Sequence, residues 1–302
     1  MSNAPPGPLL LAIVGPTAAG KSALAMQVAQ RLGAEIVNAD AFCLYRGMDI
    51  GTAKPSTADR QTVRHHMIDV LDVRDAVDVV WYQRQARAAV IDVWRRKRLP
   101  ILVGGSGLYV QSVLDDLRFP GTNPDVRRRL EAELAAHGAS ALHSRLSQLD
   151  PSAAAQILPT NGRRIVRALE VNEITGQPFT ATLGPAPAWC ESVRIGWDPG
   201  VPAVDAAISE RVDRMWAAGF VAEVRGLQPE LLEARTASRA VGYRQILDAL
   251  LARHDPDTAR ETTVVATRRL ARRQRSWFRR DPRVRWLESP SHVDEILGRL
   301  EA

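Results

Sequence analysis

The feature that most constrains the fold of this chain is a glycine-rich octapeptide that follows its first apolar run. Residues 9–14 have the composition of a buried strand, and residues 21–32 have the spacing of a helix. Between them the sequence reads Gly15-Pro16-Thr17-Ala18-Ala19-Gly20-Lys21-Ser22, which matches the P-loop pattern in the strand-to-helix context that gives it meaning.

In such a loop, backbone amides and the helix N-terminus converge on phosphate oxygens. The ammonium of Lys21 adds a positive charge, and the hydroxyl of Ser22 can ligate magnesium. We therefore predict that the loop binds phosphate groups rather than serving as a structural turn. The reaction stays open at this point, because nucleotide kinases, NTPases and other users of diphosphates share the pattern.

Short apolar runs alternate with helical patterns in the first part of the chain. Further buried strands are predicted at 35–37, 99–103 and 193–197, with a shorter one at 284–287. Continuous apolar strands that alternate with helices are typical of a parallel sheet covered on both faces. The expected fold class is therefore α/β: a P-loop NTPase-like parallel sheet with helices on both faces, plus a helical insertion domain.

The middle of the chain departs from this alternation. It contains helical patterns at 125–137, 139–149 and 161–175, with no convincing strand between them. We therefore predict three regions. They are a first part of the P-loop core at 1–119, a helical insertion at 120–187, and the completion of the core with arginine-rich C-terminal helices at 188–302.

Asp40 follows the second predicted strand. The carboxyl ends of parallel strands face one crevice, so this carboxylate should lie near the phosphate loop. It could act there as a base or hydrogen-bond acceptor, or it could be a cap or turn residue. The glycine-broken segment 45–55 comes next and includes Lys54, one of three lysines in the chain. We predict that this segment is an active-site loop.

Two further segments give weaker signals. Gly104-Gly105-Ser106-Gly107 could present amides and a hydroxyl to the crevice, although a plain tight turn is equally consistent with it. His65-His66-Met67-Ile68-Asp69 has no cysteine or other histidine at ligand spacing beside it, so a structural role fits it better than a metal site.

Two predicted helices carry arginine on one face. In the first, Arg163, Arg164 and Arg167 lie opposite Ile165 and Leu169 on a helical wheel. The second has the arginines Arg268, Arg269, Arg272, Arg273, Arg275, Arg279 and Arg280. No acidic residue intervenes in the second run, so mutual repulsion favours a polyanionic partner over a merely solvated face.

Bulk properties agree with such a partner without identifying it. The formal net charge is +6. No apolar run approaches the roughly 20 residues that span a bilayer, and no basic region precedes the apolar segment near the N-terminus. We expect a cytoplasmic protein without a membrane association, in which Cys43 and Cys190 are reduced.

Taken in order, these motifs resemble those of the bacterial tRNA dimethylallyltransferase family. The resemblance covers about residues 9–287, and the segment 47–55 is its most specific part. The motifs that carry it after the P-loop are Asn38-Ala39-Asp40, the segment from Tyr45 to Pro55, His65-His66-Met67-Ile68-Asp69, Val103-Gly104-Gly105-Ser106-Gly107-Leu108-Tyr109, Arg167-Ala168-Leu169-Glu170, Val241-Gly242-Tyr243-Arg244 and the segment from Arg272 to Arg279.

The resemblance implies a reaction in which dimethylallyl diphosphate donates its five-carbon group to the exocyclic amine of the adenosine 3′ of the anticodon. The cofactor would be Mg²⁺, with Ser22 as its protein ligand. Thr17, Lys21 and Arg211, together with Ser22, would contact the diphosphate, and Thr17 and Arg211 would be catalytic. Asp40, also catalytic, would accept a hydrogen bond or proton from the attacking amine.

The resemblance also implies the partner, which is the anticodon stem-loop of a tRNA bound in part by the insertion. We expect a monomer. From the resemblance and the arginine faces together, the predicted tRNA-binding residues are Asp40, Ala41, Phe42, Cys43, Ser106, Arg163, Arg164, Ile165, Val166, Arg167, Arg272 and Arg279.

The chain departs from the family pattern in two places. Many relatives read Asp-Ser-x-Gln where this chain has Asp40-Ala41-Phe42-Cys43, so base recognition would differ in detail, and the usual Tyr-Ser pairing is absent around Trp81-Tyr82-Gln83. Two other classes remain as alternatives. A nucleotide kinase would explain the P-loop but not the arginine helices, and a non-catalytic RNA-binding protein would leave the P-loop and Asp40 without a purpose.

Overall fold

The computed structural model describes residues 8–179 and 186–287, together with Asp294 and Gly298. Within this part of the chain, one sheet contains strands in the order β3-β2-β4-β1-β5-β6, and every pairing is parallel. The strands are β1 (Leu10–Val14), β2 (Glu35–Asn38), β3 (His65–His66), β4 (Pro100–Gly104), β5 (Ser192–Trp197) and β6 (Val284–Leu287). The predicted α/β fold class is confirmed.

Helices connect the strands. In the first half they are α1 (Lys21–Leu32), α2 (Thr57–Thr62), α3 (Val79–Arg95) and α4 (Gly107–Leu114), followed by α5 (Pro124–Leu149), α6 (Pro151–Gln156) and α7 (Gly162–Thr175). In the second half they are α8 (Val201–Ala217), α9 (Phe220–Gly226), α10 (Gln228–Glu233), α11 (Tyr243–Leu251) and α12 (Ala259–Phe278). No helix in the described ranges is long and apolar enough to cross a membrane.

The central strand shows why the sheet is covered on both faces. Successive side chains of β1 point to opposite faces. Leu10 and Ala12 pack into the core on one face, while Leu11 and Ile13 pack into the core on the other. Because both sets are apolar, the strand reads as a continuous hydrophobic run rather than an alternating one.

The chain divides into two compact units. Residues Met1–Leu114 and Ala188–Ala302 form the first unit, which contains the sheet, and Asp115–Pro187 form the second. The predicted insertion, 120–187, falls inside the second unit. The backbone N–H of Trp189 donates to the carbonyl of Leu114 (2.9 Å), so the two ends of the first unit that flank the insertion are adjacent.

The second unit has a core of its own. Leu130, Leu142 and Leu146 of α5 pack with Ile165 and Leu169 of α7. The two helices predicted at 125–137 and 139–149 form one helix, α5, that is interrupted at Gly138, whose φ of 78° is not helical. This positive φ is cheap only for glycine, which explains why the periodic pattern breaks there.

Helix α3 begins at Val79, because the carboxylate of Asp78 accepts a hydrogen bond from the N–H of Trp81 (2.8 Å) and caps the helix. The sequence prediction missed β3, which has two residues and is too short for any periodicity. In β3, Nε2 of His66 lies 2.6 Å from a carboxylate oxygen of Glu35, so this histidine has a structural contact.

Candidate functional site

The phosphate loop curls at the carboxyl end of β1. Its backbone has positive φ at Gly15 (146°), Ala18 (62°) and Gly20 (92°). At Gly15 only glycine fits, because a Cβ there would lie 2.1 Å from the carbonyl oxygen of Trp197. The loop therefore has the irregular, inward-curled backbone that lets amide groups converge on an anion.

Lys21 is the buried cation of this loop. Its Nζ donates to the carbonyl of Pro16 (2.6 Å), and its side chain is 9% exposed. Burial lowers the pKa of Lys21 to about 8, although the nearby charge of Asp40 works in the opposite direction. The ammonium is thus predominantly charged near neutral pH and lies in a place where an anionic ligand would stabilise it.

A cavity of about 480 Å³ opens beside the phosphate loop, at the carboxyl ends of β1, β2 and β4. Its walls bring together residues that are far apart in the sequence, among them Thr17, Lys21, Ser22, Asp40, Cys43 and Arg211. Cavities of this size accept small organic ligands. The predicted phosphate, base and cation groups therefore line one common space.

Asp40 lies at the crevice in a fixed orientation. Its backbone N–H donates to Oδ1 of Asn38 (3.1 Å), and its own Oδ1 accepts from the N–H of Phe42 (2.9 Å). These local bonds confirm the turn interpretation of Asp40. The residue also lines the cavity, and its role as a base or acceptor stays a prediction.

Arg211 reaches the crevice from α8. Its guanidinium donates to Oγ1 of Thr17 (3.2 Å) and to the carbonyl of Thr52 (3.2 Å). Burial lowers the pKa of Arg211, while Asp40 opposes that effect. The two cations Lys21 and Arg211 thus line the cavity together with the carboxylate of Asp40, and a pair of cations suits a ligand with several negative charges.

The loop 45–55, here called the glycine loop, is held by the buried ammonium of Lys54. Lys54, whose side chain is 2% exposed, donates from Nζ to the carbonyl of Tyr45 (2.7 Å) and to the carboxylates of Asp49 (2.5 Å) and Asp69 (2.6 Å). These contacts use all three N–H groups of the ammonium. Lys54 therefore organises the loop, as a compact ammonium can and a planar guanidinium cannot.

The second glycine-rich turn serves close packing. A Cβ at Gly105 would lie 2.5 Å from Nε2 of Gln274, and one at Gly107 would lie 2.3 Å from the ring of Trp277. Helix α12 can approach only because these positions have no side chain. Ser106 is half-buried at the start of α4, next to the cavity-lining Gly105, so its predicted contact with tRNA stays a prediction.

Helix α12 contacts the phosphate loop directly. Oε1 of Gln274 accepts a hydrogen bond from the backbone N–H of Thr17 (2.8 Å), and Gln274 is 8% exposed. Arg275 makes a two-pronged ion pair with Asp198, which follows β5. The helix predicted to face a polyanion is thus anchored to the crevice by its buried residues.

The run of arginines in and after α12 contains no acidic residue, but other parts of the chain supply partners for some of them. Arg272 pairs with Asp205 of α8 (2.9 Å), and Arg279 lies 3.8 Å from Asp198. Asp205 lies in α8 and Asp198 follows β5, so the sequence of α12 alone does not indicate either partner. Within the described ranges, no carboxylate pairs with Arg269, Arg273 or Arg280, and all three are exposed.

The arginines of the segment in α7 differ in exposure. Arg163 and Arg164 are exposed. Arg167 instead pairs with Glu170 (2.8 Å) and donates to the carbonyls of residues 120 and 121, so it holds the start of the insertion. The side chains of Ile165 (0% exposed) and Val166 (4%) lie in the core of the insertion, where they cannot touch RNA.

The residues after Asp40 close one wall of the cavity. Ala41 and Phe42 are half-buried, and Cys43 is buried and lines the cavity. Burial raises the pKa of the Cys43 thiol, so it is a neutral, weakly polar group. The wall is correspondingly less polar than a glutamine at this position would make it.

The sequence of the chain is similar to those of known proteins. A family model described as IPP transferase matches residues 43–281. The tRNA dimethylallyltransferase of Streptomyces avermitilis is 58% identical over 288 residues, which cover 95% of this chain and 92% of that protein. The corresponding protein of Kineococcus radiotolerans is 56% identical over 294 residues, or 95% of this chain and 93% of that one.

The chain is also similar to solved structures. The tRNA isopentenylpyrophosphate transferase of Bacillus halodurans has a TM-score of 0.72 and 35% identity, covering 97% of this chain and 96% of that one. A eukaryotic dimethylallyltransferase acting on tRNA shares the fold at a TM-score of 0.76 and 23% identity, covering 89% of this chain and 69% of that one. The chain belongs to the IPP transferase family.

Proposed function

We propose that this enzyme transfers a dimethylallyl group from dimethylallyl diphosphate to the exocyclic amine of the adenosine 3′ of the anticodon in tRNA, releasing diphosphate. The observation that carries the proposal is the single cavity that brings the phosphate loop, Arg211 and Asp40 together. The names of the relatives support tRNA prenylation. A cytoplasmic location fits a tRNA substrate.

The phosphate loop and Arg211 act on the leaving group. The bond between C1 of the dimethylallyl group and the diphosphate oxygen breaks, and negative charge builds up on the departing diphosphate. Lys21, Thr17 and the loop amides stabilise that charge without having to reorganise, which is the largest single contribution in many enzymes. The P-loop in this proposal holds a leaving group and transfers no phosphoryl group.

Asp40 acts on the acceptor. The lone pair of the exocyclic nitrogen forms the new bond to C1, and the nitrogen must then lose a proton. This aromatic amine is a weak nucleophile because its lone pair is delocalised. The Asp40 carboxylate, whose Oδ1 is oriented by the N–H of Phe42, accepts the proton. The adenine has to leave its stack to enter the cavity.

Magnesium fits the residues present. In the described ranges, no three His, Cys, Asp or Glu side chains form a metal cluster. Ser22, which is exposed and lines the cavity, would therefore hold the ion together with diphosphate oxygens and water, as is common for Mg²⁺ with phosphate ligands. When bound, the ion would neutralise part of the diphosphate charge.

The exposed arginines Arg163 and Arg164 of α7, with those of α12, would bind the anticodon stem-loop through its phosphates. Incubating the purified protein with tRNA and dimethylallyl diphosphate, followed by mass spectrometry of the nucleosides, tests the proposal. The expected product is an adenosine that carries one extra five-carbon isoprenoid unit. ATP turnover without that product would support a nucleotide kinase, and stem-loop binding without turnover would support a non-catalytic RNA-binding protein.

A further inference from the structure

A carboxylate outside the crevice holds the backbone of the glycine loop. Glu223 of α9 accepts hydrogen bonds from three consecutive backbone N–H groups, those of Asp49 (3.0 Å), Ile50 (2.8 Å) and Gly51 (3.3 Å). It also accepts one from the hydroxyl of Tyr243. A half-buried carboxylate with four donors is held strongly, since each bond to a charged acceptor stabilises more than a neutral one.

Packing fixes the loop against the same residues. A Cβ at Gly51 would lie 2.2 Å from the ring of Phe220 and 2.4 Å from the ring of Tyr243. Both rings are fully buried and meet edge to face. Only glycine therefore fits at position 51. The backbone there packs against the two rings and donates a hydrogen bond to the Glu223 carboxylate.

The next residue of the loop connects this arrangement to the phosphate loop. The carbonyl of Thr52 accepts from Nη2 of Arg211, whose Nη1 donates to Oγ1 of Thr17. Arg211 makes both contacts at 3.2 Å, so neither alone fixes its position well. The direction of the guanidinium therefore depends on where the backbone of Thr52 is placed.

We infer that Glu223 is a positioning residue for the diphosphate site: it fixes the backbone of residues 49–52 and thereby aims Arg211 at the phosphate loop. The inference rests on the proposed function for the identity of the donor, because a diphosphate is the ligand that Arg211 would meet. Misplacing a charged group by about 1 Å can cost on the order of a hundredfold in rate.

The test replaces Glu223 by Gln. The side chain keeps its shape, but one of the two oxygens that accept hydrogen bonds from the loop amides becomes an NH2 group, which donates. Binding of inorganic pyrophosphate is measured by calorimetry, and kcat and KM for dimethylallyl diphosphate are measured with a stem-loop acceptor. We expect pyrophosphate affinity and kcat/KM for the donor to fall by about tenfold each, with stem-loop affinity unchanged. Tyr243→Phe, which removes one donor to the carboxylate, should give a smaller loss of the same kind.

A double-mutant cycle separates positioning from a merely structural role. In an Arg211→Ala background, Glu223→Gln should lower pyrophosphate affinity by less than about twofold, because its effect passes through Arg211. Glu233→Gln is the matched control. Its carboxylate pairs with Arg74 (2.6 Å) on the exposed surface of the neighbouring helix α10, and we expect no change.

Unchanged pyrophosphate binding in Glu223→Gln, or a loss that is equally large with and without Arg211, would overturn the inference. If Glu223→Gln does not fold, Tyr243→Phe decides, and unchanged pyrophosphate binding in that variant overturns it. Pyrophosphate binding requires no tRNA. A wild-type protein that binds pyrophosphate but fails to prenylate tRNA would therefore contradict the proposed function and leave the positioning role of Glu223 supported.

Discussion

The crevice and the outer face of α12 treat positive charge in opposite ways. In the crevice, the buried ammonium of Lys21 and the half-buried guanidinium of Arg211 donate hydrogen bonds to oxygens of the same chain. On the outer face of α12, Arg272 pairs with Asp205, while Arg273 stays exposed. Buried, prearranged cations suit a small ligand that must be bound in one geometry, whereas exposed ones suit a flexible polyanion.

The largest effect should come from Asp40, the carboxylate that lines the cavity with Lys21 and Arg211. Asp40→Asn keeps an oxygen for the N–H of Phe42 but removes the basic group. We expect turnover to fall about 10² to 10⁴-fold, the usual worth of a general base, with little change in stem-loop affinity. Single-turnover kinetics and a binding titration measure the two. Equal losses in both would assign Asp40 a role in RNA positioning instead.

Lys21→Ala should rank next. Removing a prearranged cation from the leaving group should lower turnover by at least about a hundredfold. The fold should survive, as circular dichroism can check. Because burial lowers the pKa of Lys21 to about 8, its charge is present below that pH and is lost above it. Pyrophosphate affinity should weaken as the pH rises through about 8, and this dependence should be absent in the variant.

Away from the crevice, the buried carboxylate of Glu35 contacts Arg96 and His66, and these contacts bear on the stability of the fold. Burial alone would raise the pKa of Glu35, but hydrogen bonds from Arg96 and His66 outweigh it and hold the pKa at about 2, below the ordinary value of 4.5. The stabilisation is therefore complete above about 4.5 and is lost as the pH falls toward 2.

Glu35→Gln should cost about 3 kcal/mol of unfolding free energy at neutral pH, because it leaves Arg96 without its buried partner. Urea titrations across the acid range should show the wild type converging on the variant as the pH falls. If the unfolding free energies of the wild type and the variant differed by the same amount at every pH, the charge of Glu35 would make no net contribution to stability.

The smallest effect is expected at the outer face of α12, where two pairs of arginines can be compared as contacts for RNA phosphates. Arg273→Ala with Arg280→Ala removes exposed cations that lack a carboxylate partner in the described part of the chain. The slope of log affinity for the stem-loop against log salt should fall by about one to two units. Replacing Arg272 and Arg279, which lie near Asp205 and Asp198, by Ala should lower this slope by less. Equal changes would mean that RNA displaces those carboxylates.

Much of the site could be predicted because its signals are local. The phosphate loop lies between a strand and a helix that periodicity identifies, and Asp40 follows from the position of the next strand. Glu223 and Gln274 were missed for the opposite reason. Periodicity indicates which face of an element a residue occupies but not which distant residue it meets. The same limit explains why Asp198 and Asp205 were not recognised as partners of the arginines.

The backbone hydrogen bond between Leu114 and Trp189 has a consequence for how the molecule can be rebuilt. The two cut ends that excision of the second unit would create already lie within hydrogen-bonding distance, so a tight turn could join them. Closing a loop costs little when its ends are already adjacent. The sheet unit can therefore serve as a host into which another domain is inserted between Leu114 and Trp189, without moving Lys21 or Asp40.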